Sequence, residues 1–518
     1  MRTKRYRRLV TSMVATAMVV SVAVPATAAP KPDGLLTGKG AYITLDPGAP
    51  NGAKVTPIVS VGETVDGVLF DGIPDGIGLK PGPDKKSVEV FVNHEQSTVP
   101  FFGERDFQDS SVTSWVLSTQ SGPGRQGSVL SADEPIPASA GFIRFCSAFM
   151  AGPDEGFSTY TFFTGEESND AGLAVPAGAP YGADVFPGDG TRQAGYTVGL
   201  NTETGEFSQI ARMGRLNHEN TVVVPGGWSG FTVLTTDDTF TAPSSQLYMF
   251  RGDTEQDVRD GDGTFYAFRV SHVNGVALTN PADAFNGAND YLDLGIDDVF
   301  SGEFIPVPDD IADGTTQALP QTALEAWSND NNVMQFIRLE DLAYDKNDAR
   351  VVYIADTGAS GVAPDPATGR LHRPGGAGQA PNGRIFEFVF NADNPLVVDS
   401  LTVLADGDAP GTEVFVPFTS PDNVDTSKKS LMVQEDTGNA LIWQYRLKQS
   451  DWRVVASVND PGGESSGILD ASRFFGPGSW LLDVQAHSTD VDFDTTSEPG
   501  IRIKREDGQL MLLELPGS

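Results

Sequence analysis

A chain of 518 residues carries 70 acidic and 35 basic side chains, a formal net charge of −35, with 57 glycines, 35 prolines and one cysteine. Such a surface repels nucleic acid and anionic membranes, and a single thiol excludes an intramolecular disulfide. The length permits one large repeat-built domain or two to three ordinary ones.

Residues 1–28 read as a signal peptide. Arg2, Lys4, Arg5, Arg7 and Arg8 form a basic segment, an Ala/Val-rich stretch follows, and Ala26-Thr27-Ala28 suits cleavage. The Arg7-Arg8 pair favours twin-arginine export, with the general secretory route as the alternative. Cleavage removes five positive charges and no acid, taking the net charge from −35 to −40. No other apolar stretch reaches membrane-spanning length, so residues 29–518 are expected to form a secreted, soluble protein. Its acidity serves solubility, and its concentration at strand ends points also to cation binding.

Six apolar, β-prone runs follow, each ending in polar, mostly acidic residues: VEVFVNHE (88–95), STYTFFTGEE (158–167), FTVLTTDD (231–238), VVYIADTG (351–358), LMVQEDTG (431–438) and WLLDVQAH (480–487). Their alternation predicts strands. If equivalent strands converge on an axis, Glu95, Glu166, Glu167, Asp237, Asp238, Asp356, Glu435, Asp436 and His487 gather at one site. Carboxylates so gathered repel one another unless cations lie between them.

A segment with an acid or other ligand-type residue precedes each run, and one or two further strands usually follow. The clearest unit is FIRLEDLAYD (336–345), VVYIADT (351–357), RIFEFVF (384–390) and SLTVLAD (400–406). Six such four-strand units, short Gly/Pro/Asn/Asp turns and almost no helical periodicity predict an all-β, six-bladed β-propeller over residues 29–518. A pair of β-sandwiches is the alternative. Residues 168–200 and 272–333 break the spacing and read as insertions.

Three constellations stand out: Asn93-His94-Glu95; Arg215, His218 and Glu219 in GRLNHE; and Arg338, Glu340 and Asp341 in IRLED. Hard oxygen donors suit calcium, and an added thiolate suits iron. An arginine beside a metal-bound carboxylate is placed to clamp a phosphoryl oxygen, and a histidine such as His218 to handle a proton. Taken singly, each His or Arg reads as a structural hydrogen-bonding group, and Cys146, among Phe142, Ile143, Phe145 and Phe149, as a buried structural thiol. No Walker loop, GxSxG elbow, HExxH or EF-hand series is present, and Asp260-Gly261-Asp262-Gly263 reads as a solvent turn.

In order, NHE (93–95), Cys146 in RFC followed by TGEE, GRLNHE (214–219), RLED (338–341), PDN (421–423) and DVQAH (483–487) resemble the landmarks of PhoX-type alkaline phosphatases over roughly residues 60–490. The resemblance implies a six-bladed propeller whose axial pocket holds an iron–calcium cluster (Fe3+ and Ca2+) and hydrolyses phosphomonoesters. On that reading Cys146 ligates iron, Glu95 and Glu219 hold metals, Glu340 ligates calcium and Arg338 contacts phosphate. Glu167, Asp341, Glu435 and Asp436 are further candidate ligands, and His218 joins Arg338 as a candidate catalytic residue. The chain departs from the family pattern after Cys146, which lacks the following Gly pair and Trp, at Leu339, where proline is typical, and in VQAH, which lacks a His directly after Gln. Those departures bear on substrate preference and activity more than on fold. The expected partner is a phosphorylated small molecule and the expected state a monomer. The rival readings are a calcium-dependent propeller lactonase or phytase, neither of which needs the thiol, and a non-catalytic calcium-binding propeller.

Overall fold

The repeat read from the sequence is built as antiparallel strands around an axis. The computed structural model describes residues 36–95, 108–122, 124–168, 172–174, 191–239, 245–372, 380–459, 463–486 and 507–517. The expected signal peptide and His487 lie outside them. Each repeat contributes an innermost strand: Pro74–Pro81, Phe145–Ala151, His218–Val223, Leu339–Asp345, Pro421–Thr426 and Gly463–Asp470. Each of these packs against the next, and the sixth returns to the first, closing the ring.

The second strands of the repeats are Ser87–His94, Thr161–Glu166, Phe231–Asp237, Asp348–Asp356, Ser430–Glu435 and Ser479–Ala486. Apart from their first residues they are mostly buried, because each lies between two neighbouring blades. Leu481, Leu510 and Leu512 of the sixth blade, for example, pack with Ile77, Val90, Val92 and Trp115 of the first. Full burial of each such side chain contributes about 1.5–3 kcal/mol, so the stacking of the blades is the core of the molecule.

The all-β propeller expectation holds, with one difference in the sheets. The third and fourth repeats do not form separate sheets. Phe300–Pro306, inside the expected 272–333 insertion, pairs with Thr264–Val273 on one side and Val397–Asp406 on the other, fusing the two into a ten-stranded sheet. The same insertion holds an 11-residue helix, Pro320–Asp330, which the strand-dominated pattern did not predict. The other expected insertion is shorter than 168–200, since Thr197–Asn201 is a regular strand of the second blade.

The sixth blade takes its fourth strand from the opposite end of the chain: Lys54–Ser60 pairs antiparallel with Asp507–Glu514. Ile43–Leu45 likewise adds an edge strand to the fifth blade.

Every innermost strand also carries one extra residue relative to its partner. The ladder shifts between Pro74 and Ile77, Phe145 and Ala148, His218 and Thr221, Leu339 and Leu342, Pro421 and Val424, and Ser466 and Leu469. A β-bulge of this kind breaks the two-residue alternation. In the first five blades it turns two consecutive residues toward the axis. In the sixth it contains Gly467, at φ +49°, where a Cβ would lie 2.4 Å from the Asp75 carbonyl oxygen of the first blade.

Candidate active site

The five equivalent bulges dictate the site. In each, the last residue of the second strand pairs with the residue before the bulge: His94 with Pro74, Glu166 with Phe145, Asp237 with His218, Asp356 with Leu339 and Glu435 with Pro421. The next residue on the innermost strand is Asp75, Cys146, Glu219, Glu340 or Asp422; the next on the second strand is Glu95, Glu167, Asp238, Thr357 or Asp436. A backbone hydrogen bond fixes each of the latter. The N–H groups of Glu95, Glu167, Asp238, Thr357 and Asp436 donate to the carbonyls of Ile73, Arg144, Asn217, Arg338 and Ser420 at 2.8–3.1 Å. Arg144 and Arg338 therefore occupy equivalent positions in the second and fourth blades.

Apart from Asp238 and Thr357, these side chains converge on an axial cavity of about 390 Å3, joined by Glu464, Ser466 and Gln485 of the sixth blade. Eight carboxylates, one thiol and two guanidinium groups line it. Donor atoms of Asp75, Glu95 and Cys146 lie within 4.8 Å of one another, as do those of Cys146, Glu167 and Glu219, and those of Glu219, Glu340 and Asp422. Cys146 and Glu219 are each shared by two groups, so the three groups form a chain.

Polar contacts hold the donors in place. Cys146 Sγ stands 3.1 Å from Asp75 Oδ2, which also accepts from Gln485 Nε2 at 2.9 Å; the same amide donates to Glu95 Oε1 at 2.9 Å. Ser466 Oγ donates to Asp75 Oδ1, and Ser147 Oγ to Glu219 Oε1. Arg338 forms a fork with Asp238, Nε to Oδ1 at 2.8 Å and Nη2 to Oδ2 at 2.6 Å, and lies 3.2 Å from Glu340. Arg144 faces Glu167 at 3.8 Å.

Electrostatics at the site favour cations. Burial, then repulsion from neighbouring carboxylates, pushes Glu95 and Glu219 well above the usual carboxylate range. Burial likewise raises Glu340, Asp422 and Glu464, and raises Glu167 to about 8. Burial, then Asp75 and Glu219, pushes the Cys146 thiol up. A bound cation reverses each of these costs, because it stabilises the ionised form of every donor it touches.

Of the ten residues given a ligand or catalytic role on the PhoX-like reading, seven reach this cavity: Glu95, Cys146, Glu167, Glu219, Arg338, Glu340 and Asp436; the strand-end acids Glu166, Asp237, Asp238 and Asp356, also expected there, do not line it. Three of the ten do not reach it. His218 is buried within the third blade, Nδ1 bonded to Thr235 Oγ1 at 2.8 Å and Nε2 to the Gly214 carbonyl at 3.1 Å. Burial lowers its pKa to about 4, so it stays neutral in that structural role. Asp341 is the second bulge residue and lies below the cavity, accepting from Val424 N at 2.9 Å, Leu342 N at 2.6 Å and the Asn220 amide. Glu435 turns back into its own blade, accepting from Thr419 N, Leu441 N and Trp443 Nε1 at 2.9–3.1 Å.

Sequence reasoning gave no role to Asp75, Arg144, Asp422, Glu464, Ser466 and Gln485, although Asp422 and Gln485 lie in the PDN and DVQAH landmarks. A signal for two of them was present, since Pro74-Asp75 and Pro421-Asp422 are the same dipeptide at the same point of the repeat. Beneath the cavity, the second bulge residues form a floor. Asn423 Nδ2 donates to Ser147 Oγ at 2.8 Å, and Asn423 Oδ1 lies 3.0 Å from Ser466 Oγ. Below that floor lies a second axial cavity, lined in part by Asn220 and Asp341.

Residues 113–443 match the family model described as alkaline phosphatase PhoX. No curated protein matches the chain. Among solved structures, Pseudomonas fluorescens PhoX in complex with vanadate, a transition-state analogue, is similar with a TM-score of 0.61 at 16% identity, over 93% of this chain and 97% of that one. The periplasmic gluconolactonase PpgL of Pseudomonas aeruginosa gives a TM-score of 0.35 at 10% identity, over 85% and 88% of the two chains. The first likeness concerns the fold, and the second is too loose to bear on function.

Proposed function

The chain belongs to the PhoX family of alkaline phosphatases, and from that premise we propose that it hydrolyses phosphomonoesters in the axial cavity, where its acids and thiol hold calcium and iron. The observation that carries the reading is the convergence of eight carboxylates, the one thiol and two equivalent arginines on a single cavity. Without cations, that excess of negative charge would repel a phosphate dianion.

The donor set suits both metals. A thiol shared between two carboxylate groups, Asp75/Glu95 and Glu167/Glu219, favours a transition metal such as iron. The all-oxygen group of Glu219, Glu340 and Asp422 favours calcium. Bound cations would supply Lewis acidity and neutralise charge growing on the phosphoryl oxygens. The chain's own residues do the rest. Arg338, held by Asp238, donates to a non-bridging phosphoryl oxygen, and Arg144 offers a second guanidinium two blades away. Charge-assisted donation of this kind orients the ester as well as binding it.

The decisive experiment pairs elemental analysis with turnover of p-nitrophenyl phosphate. The purified protein should contain iron and calcium, and chelation should abolish hydrolysis. Full activity of a metal-free preparation would refute the proposal. Among the described residues no helix is long and apolar enough to cross a membrane. The basic, then apolar, N-terminal pattern supports export, and a mature chain beginning near residue 29 in the culture medium would be the expected product.

A further inference from the structure

Arg338 lies one residue before its strand begins, so the strand ladder alone does not place it. Its backbone is held by two neighbouring residues. Asp356 Oδ1 accepts from the Arg338 N–H at 3.2 Å and from Gly358 N at 2.9 Å, while Oδ2 accepts from Ile337 N at 2.9 Å. The Arg338 carbonyl accepts in turn from Thr357 N at 2.9 Å. Both main-chain polar groups of Arg338 thus end on residues 356 and 357.

Asp356 is fully buried and does not line the cavity. Its counterparts in the second and fifth blades hold backbone too, at one N–H equivalent to one of those that Asp356 binds. Glu166 accepts from Ile143 N at 3.1 Å and Tyr196 N at 3.3 Å, and Glu435 from Thr419 N at 3.1 Å. Ile143 and Thr419 lie two residues before the bulge pairing, at the position of Ile337. Asp356, shorter by one methylene, bonds the N–H at that position and that of the arginine as well. Asp356 is therefore an anchor for the backbone of Arg338, whose side chain faces the cavity.

We propose that Asp356 is a positioning residue for phosphoryl recognition, fixing through the Arg338 backbone where that guanidinium stands in the cavity. This rests on Arg338 binding the phosphoryl group. Misplacement of such a group by about 1 Å can cost on the order of 100-fold, and the fork with Asp238 tolerates little displacement at the backbone.

The test is a double-mutant cycle in the metal-loaded protein, with Asp356→Asn in the wild type and in Arg338→Ala. Inhibition by inorganic phosphate, the KM and kcat for p-nitrophenyl phosphate, and bound metal per chain are the readouts. Asparagine keeps one acceptor oxygen and loses the other. In the wild type it should weaken phosphate inhibition and raise KM about tenfold, with metal content unchanged. In the Arg338→Ala background it should add less than about twofold. An equal effect in both backgrounds overturns the inference, as does loss of metal from Asp356→Asn alone. If Arg338→Ala leaves phosphate inhibition untouched, the reading of Arg338 itself fails and takes this inference with it. Should the asparagine protein not fold, Asp356→Glu decides by the same cycle, because it keeps the charge and moves the oxygens by one methylene.

Discussion

Removing the metals should make stability fall steeply between mildly acid and mildly alkaline pH. In the folded, metal-free protein burial raises the Glu167 pKa from 4.5 to about 8. The unfolded chain releases that proton near 4.5, so across the window the folded state binds more protons. Unfolding free energy then decreases as pH rises. A gap of about 3.5 units corresponds to roughly 5 kcal/mol, fully lost above pH 8, at about 1.4 kcal/mol per unit. Typical domains hold only about 5–15 kcal/mol in total. Asp75, Glu95, Glu219, Glu340, Asp422 and Glu464 shift in the same direction. For a chain of this length unfolding entropy is roughly 1 kcal/mol per kelvin, so Glu167 alone accounts for about 5 °C of melting temperature. Scanning calorimetry of the chelated protein at pH 5 and pH 8, each with and without added calcium, reads the effect. The melting point should drop on going to pH 8 without metal, and calcium should recover most of it at pH 8 but little at pH 5. A chelated protein equally stable, or more stable, at pH 8 would refute the electrostatic account of the cavity.

Three further outcomes follow from the same geometry. Cys146→Ser should lose bound iron and at least about 100-fold in kcat, yet retain calcium at Glu219, Glu340 and Asp422, as elemental analysis of the variant would show. His218→Gln should keep kcat/KM within a few-fold while lowering stability by about 1–3 kcal/mol in chemical denaturation, since it disturbs two buried hydrogen bonds and no cavity contact. Gly467→Ala should lower both stability and metal affinity, because its Cβ would strike the Asp75 carbonyl and its positive φ disfavours a side chain. Melting temperature and calcium titration together test that pair of effects.

Much of the propeller was legible because its second strands are buried on both faces and end alike. The acid doublets were legible too, but not which member faces the axis. Glu166 pairs directly with Phe145 and turns toward its own blade, whereas Glu167, one step past the ladder, enters the cavity. The Glu435–Asp436 doublet divides in the same way, and Asp356 is an anchor ahead of Thr357. Asp341 was misplaced for a related reason: alternation predicts one inward residue, and the bulge supplies two, of which Glu340 faces the cavity and Asp341 the floor. Blade fusion through Phe300–Pro306 and the pairing of Lys54–Ser60 with Asp507–Glu514 depend on partners far away in sequence. No local pattern encodes such contacts.

That last pairing sets an order of events in the life of the molecule. Glu464, Ser466 and Gln485 belong to a blade that needs strands from both ends of the chain. Joining segments some 450 residues apart costs on the order of 5 kcal/mol in loop-closure entropy, so the sixth blade is complete only when Lys54–Ser60 and Asp507–Glu514 have met. An ion bound across blades in that cavity would then act as the clasp of a closed circle.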